Sequence, residues 1–134
     1  MDTNIVAAAI LRAGMSRRLL FRSELILYSP AFLRDEILEH EAEFCLKSGL
    51  NEDAFDKACD LVLANILIVD EEEYTHRQEW AKQISPDPDD WPFLALAKEK
   101  GCALWSNDKR LKRQKEIIVY DTIELARMTL ISEP

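Results

Sequence analysis

Four acidic residues fall at or near places where a strand would hand over to a helix: Asp2, Glu36, Asp90 and Asp108. Asp2 stands directly before the first helical pattern, Asp90 opens another after the turn Asp87-Pro88-Asp89-Asp90, and Asp108 follows the run Trp105-Ser106-Asn107. Ligands of parallel α/β sheets collect at such junctions. Taken singly, an Asp at a helix start is an N-cap before it is a ligand. Glu36 lies beside Ile37 and one turn after Phe32 and Leu33, at the edge of an apolar helix face, and reads equally as a functional acid or a solvated charge. Taken together the acids read differently. Carboxylates about 4 Å apart repel by about 4 kcal/mol per pair at an effective dielectric of about 20, so a converging set needs protons or a cation. Oxygen ligands without sulfur or imidazole favour Mg²⁺ or Mn²⁺ over zinc, and carboxylates holding such ions are common machinery for phosphodiester chemistry.

The elements that must position these acids are legible in the hydropathy pattern. Apolar runs at 25–28, 66–69, 102–105 and 117–120 read as four buried strands separated by helical patterns. Ser29 before Pro30 is an expected cap for a helix over 30–47, Asn51 for a long amphipathic run, and Asp121 with Glu124 forms a capping-box pattern. Gly101 is placed to end the helix that starts near Asp90. Alternation of strand and helix predicts an α/β fold, a three-layer α/β/α sandwich with a mostly parallel central sheet of four or five strands. Before Asp2 stands only Met1, so the strand expected there is either very short or has its natural start upstream.

The chain has 134 residues, 48% hydrophobic and 31% charged, with three Gly and five Pro, which suits one folded domain over 1–134 and excludes disordered and collagen-like classes. No apolar run approaches the roughly 20 residues that cross a bilayer, and a cytoplasmic location is the default expectation. Cys45, Cys59 and Cys102 lack disulfide or zinc spacing and are expected to be core thiols. A net charge of −8 argues against bulk attraction to nucleic acid.

Asp2-Thr3-Asn4, Pro30-Ala31-Phe32-Leu33-Arg34-Asp35-Glu36-Ile37, the stretch from Asp87 to Ala97, and Leu104-Trp105-Ser106-Asn107-Asp108-Lys109 occur in an order and spacing that resembles PIN-domain nucleases, including toxin ribonucleases of the VapC type. The resemblance spans nearly the whole chain. It implies a metal site at the carboxyl edge of the sheet, with Asp2, Glu36, Asp90 and Asp108 matching the family's acidic quartet as catalytic and metal-binding residues. Asp87 and Asp89 leave the third position ambiguous by a residue. Asn4 and Ser106 match the polar residues that would fix carboxylate rotamers. The implied activity is Mg²⁺- or Mn²⁺-dependent hydrolysis of RNA, leaving a 5′-phosphate and a 3′-hydroxyl. An antitoxin partner and a homodimer are further expectations from the resemblance, with Met128, Leu130 and Ile131 read as core residues near the end.

An acidic pocket must be flanked by cations if RNA is to approach. Nine of the seventeen basic residues fall in two clusters, Arg12, Arg17, Arg18 and Arg22, then Lys109, Arg110, Lys112, Arg113 and Lys115, expected to rim the site and contact phosphates. The alternative for both is a solvated surface complementing helix ends. Trp91 and Trp105 are read as packing residues before base-stacking ones. A non-catalytic PIN-like module that binds RNA or protein is the main rival. An aspartyl phosphatase would need an Asp where Asn4 stands, and a phospho-receiver would need a Lys in 117–120.

Overall fold

The computed structural model describes the backbone of residues 1–131 and side chains through Thr129. In chain order the elements are α1 (Thr3–Leu11), α2 (Met15–Leu20), β1 (Leu27–Pro30), α3 (Leu33–Glu39), α4 (Glu41–Ser48), α5 (Glu52–Leu63), β2 (Ile66–Val69), α6 (Gln78–Ile84), α7 (Trp91–Lys100), β3 (Leu104–Trp105), β4 (Val119–Tyr120) and α8 (Thr122–Ile131). Short 3₁₀ turns precede α6 and α7 and link β3 to β4.

The fold is α/β with parallel pairing throughout: Leu27 lies opposite Ile66, and Leu104 opposite Val119. The strands form two two-stranded ladders, β1 with β2 and β3 with β4, where one continuous sheet was expected. The reason lies at the amino terminus. The Met1 nitrogen donates to the Tyr28 carbonyl at 3.0 Å, and the Asp2 N–H donates to the Trp105 carbonyl at 3.2 Å. Ser29 Oγ donates to the Met1 carbonyl at 3.4 Å. Met1 and Asp2 therefore occupy the position between the two ladders, giving the spatial order β2, β1, residues 1–2, β3, β4. A central strand of two residues is too short to complete a ladder on either side.

Successive strand residues point to opposite faces, and each face carries its own core. Leu27, Ile66 and Trp105 pack with α1, α2, α3 and α5 around Val6, Ile37, Phe55 and Val62. Val69, Leu104 and Val119 pack on the other face with α6 and α7 around Tyr74, Ala81 and Leu94. Helix, sheet and helix thus form three layers.

Several caps stand as the sequence predicts. Asn51 accepts from the Ala54 N–H at 2.8 Å, the Asp121 carboxylate accepts from the Glu124 N–H at 2.8 Å and the Glu124 carboxylate from the Asp121 N–H at 3.1 Å, and Gly101 ends α7 at φ 63°. Ser29 does not act as a cap. With Pro30 it finishes β1, because pairing continues to the Ala31 N–H, which donates to the Val69 carbonyl, so the helix starts only at Leu33. The expected helix over 30–47 is also two helices, since His40 leaves helical geometry at φ −103° and ψ 10°. Of the three expected core thiols only Cys59 is buried; Cys45 is half-buried and Cys102 exposed. Met128 is 51% exposed and so is no core residue, while the side chains of Leu130 and Ile131 lie outside the described residues. Among the described residues no helix is long and apolar enough to cross a membrane.

Candidate active site

Asp2, at the carboxyl end of the two-residue central strand, is the N-cap of α1. Its Oδ1 accepts from the Ile5 N–H at 3.0 Å. Burial pushes its pKa up, opposed by a hydrogen bond from the Ser106 hydroxyl and the one from Ile5, while Asp108 pushes it further up. Ser106 follows β3 and is 1% exposed. Its N–H donates to the Tyr120 carbonyl at 3.1 Å, and its Oγ accepts from the Asp108 N–H at 3.1 Å. One buried hydroxyl thus ties the first acid to the last.

Asp90 holds the N-cap position of α7 but makes no side-chain capping bond. An N-cap serves the N–H of the second or third helical residue, and here the second is Pro92, which has none. The turn before it is closed instead by Asp87, whose Oδ1 accepts from the Asp89 N–H at 3.0 Å. The Asp90 carboxylate is left facing other acids: burial raises its pKa first, then Asp87, Asp108 and Asp2, with Arg110 opposing.

Asp108 begins the 3₁₀ turn Lys109–Arg113. Its Oδ1 accepts from the Arg110 N–H at 3.0 Å and from Arg110 Nε at 3.1 Å, and its Oδ2 from Arg110 Nη2 at 2.8 Å. The guanidinium holds the Asp108 pKa below the ordinary value.

Asp2, Glu36, Asp90 and Asp108, with Asn4, line one pocket of about 320 Å³, so acids as far apart in the chain as Asp2 and Asp108 face a common space. Asp89 lines it too, whereas Asp87 is occupied in its turn. Among the described residues no three carboxylate, imidazole or thiol groups are drawn close enough to form a ready cage. Arg110 occupies both oxygens of Asp108 in this state. Thr3 lines the pocket as well, and its Oγ1 is buried without a hydrogen-bond partner.

Sequence reasoning misses Thr3 and His40 among the lining residues. His40 stands four residues after Glu36, a spacing that shares a helix face, and was the available signal. Of the expected phosphate contacts, Lys109 and Arg110 are exposed next to Asp108. Arg17 instead closes α1, donating from Nε to Ala9 O at 2.7 Å and from Nη2 to Ile10 O at 2.9 Å. At 1.5 Å per residue, Arg12, Arg17 and Arg18 stand about one nine-residue helix from Asp2. Lys112 turns toward Asp121 and Glu124. Trp105 donates its indole N–H to Thr122 Oγ1 at 3.0 Å, and Trp91 packs on Tyr74, so both are core residues.

The model of one protein family, the PIN domain, matches residues 1–122. The chain belongs to the PIN-domain family. Its α/β layering, with acids gathered where the central strand meets α1 and where β3 ends, is that of a nuclease-type fold. No curated protein and no solved structure matches this PIN domain.

Proposed function

We propose that this PIN domain is a divalent-metal-dependent endoribonuclease, and that it serves as the toxin of a toxin–antitoxin pair. The observation that carries the reading is the shared pocket, in which the half-buried Asp90 carboxylate faces like charges and is not used as a cap. The donor set is all hard oxygen: the carboxylates of Asp2, Glu36, Asp90 and Asp108. That chemistry fits Mg²⁺ or Mn²⁺. When bound, such an ion supplies charge neutralisation at the phosphate and lowers the pKa of a water.

The chain's own residues do the rest. Ser106 fixes the rotamer of Asp2 and the backbone of Asp108, and Asn4 lines the wall beside them. Arg110 holds Asp108 in place of the ion, and once displaced it joins Lys109 in meeting the phosphate backbone. The products are a 5′-phosphate and a 3′-hydroxyl. The chain's charge of −8 suits a basic antitoxin segment, and a homodimer is part of the same reading. The rival, a non-catalytic module, draws on the capping roles of Asp2 and Asp108 and on the Arg110 clamp.

The deciding experiment is cleavage of a mixed single-stranded RNA with and without Mn²⁺. Wild type cleaves only with the ion and Asp108→Asn does not. Equal degradation by both proteins would discard the enzyme reading, and no cleavage by either would favour the module.

A pH dependence follows. Asp2 and Asp90 have pKa values raised above 3.8. Such groups support the fold fully below their unfolded value and lose that support as pH rises through the folded one. At neutral pH they oppose folding, and a bound cation removes the opposition. Mn²⁺ should therefore raise Tm at neutral pH, with the increment shrinking as pH falls through the raised values toward the acid end of the range. Melts with an equal increment at both ends would contradict this.

A further inference from the structure

The pocket that gathers the acids also has an aromatic flank. Glu36, His40 and Phe44 line it at four-residue intervals, the spacing that sets side chains in one row on a helix. The row survives the bend between α3 and α4, because the His40 N–H still donates to the Glu36 carbonyl at 3.2 Å and the Phe44 N–H to the His40 carbonyl at 3.0 Å. At 1.5 Å per residue, His40 and Phe44 stand about 6 Å and about 12 Å along the helix from Glu36.

These rings are not spent on the core. No residue of α4 is buried, and Phe44 is half-buried. Its ring stacks on Phe55, centroids 6.2 Å apart and planes at 25°, and Phe55 is itself fully buried. Phe55 does not line the pocket, so the part of Phe44 that it leaves uncovered is the part the pocket meets. His40 lies alongside, ring centroids 6.1 Å apart, with half its side chain in solvent and Nδ1 held 3.4 Å from Glu43 Oε2. The other aromatic pair on the pocket, Phe32 and Phe93, packs edge to face at 5.6 Å and belongs to the core around Leu94. Phe44 is thus braced from behind and open in front.

A nucleobase is a flat, uncharged π-surface, which an acid-lined pocket does not repel, and stacking on Phe or His is a general means of holding an unpaired base. We infer that Phe44 and His40 form a nucleobase subsite, which seats the base of the nucleotide adjoining the phosphate held at Asp2, Asp90 and Asp108. The position of that phosphate rests on the ribonuclease reading; the aromatic row does not. Stacking accepts every base but gains with ring area, so the subsite favours a purine over a pyrimidine.

The test uses the whole chain and a short single-stranded RNA carrying one 2-aminopurine between uridines, whose fluorescence falls when the base stacks. At low salt without metal, wild type should quench it. Phe44→Leu, which keeps apolar bulk but has no π-face, should bind about 5–100-fold more weakly, and Phe44→Trp should match or exceed wild type. His40→Ala, at a side chain half in solvent, should weaken binding about 2–5-fold and carries the comparison should thermal melts show the Leu variant unfolded. With Mn²⁺, Phe44→Leu should lose kcat/KM more on purine-containing RNA than on uridine-only RNA. Variants at both positions that quench and cleave like wild type would overturn the subsite and leave the ribonuclease standing. Quenching by wild type that Phe44→Leu loses, with no Mn²⁺-dependent cleavage, would uphold the subsite and discard the enzyme. An absence of quenching by wild type would overturn the subsite whatever the cleavage result.

Discussion

Asp90→Asn should lower Mn²⁺-dependent RNA cleavage by about 10²–10³-fold while leaving Tm equal to or above that of wild type. Loss of a metal-binding carboxylate forfeits several kcal/mol of transition-state charge stabilisation, at 1.36 kcal/mol per tenfold in rate. The stability side is the more discriminating. Asp90 makes no capping bond, so its carboxylate can be replaced without unpairing a backbone N–H. Its pKa is raised by burial and by Asp87, Asp108 and Asp2, so the ionised group works against folding at neutral pH and the neutral amide removes that opposition. A variant that loses activity because it unfolds would point to a structural acid. Cleavage assays paired with thermal melts separate the two.

Ser106→Ala should weaken Mn²⁺ binding by about 10–100-fold, the usual effect of removing a hydrogen-bond partner behind metal ligands. Its stability cost should be about 1–3 kcal/mol, because the Asp108 N–H loses its acceptor and Asp2 loses a donor in a buried setting. The methyl group cannot bridge the two acids. Ser106→Thr, which keeps the hydroxyl, should recover most of the Mn²⁺ affinity. Isothermal titration and urea melts on both variants check this; an Ala variant with wild-type affinity would show that the Ser106 bridge is irrelevant to the site.

The layer order was legible, and the four acids could be picked out as candidates, because both rest on local signals. Strand runs, Gly101 and the box at Asp121 and Glu124 act within a few residues of themselves, and all four acids stand on a shared pocket. What escaped depends on distant partners. Ser29 and Pro30 look like a helix start, yet pairing with β2 keeps them extended. Arg17 looks like an RNA contact until the free carbonyls of α1 are found beside it. Asp108 was readable as a candidate, but the Arg110 clamp on it was not, since an Arg two residues from an Asp is ordinary in sequence. The split of the sheet comes from Met1 and Asp2 alone holding its centre, where sequence pattern offers two alternatives and no way to choose.

Direct titration of the pure protein with Mn²⁺, followed by electron paramagnetic resonance, measures whether the pocket between Asp2, Glu36, Asp90 and Asp108 holds a divalent ion. Wild type should bind at millimolar or tighter concentration, with the site lost in Asp90→Asn. No binding by wild type, or the same binding by both proteins, would contradict the assignment.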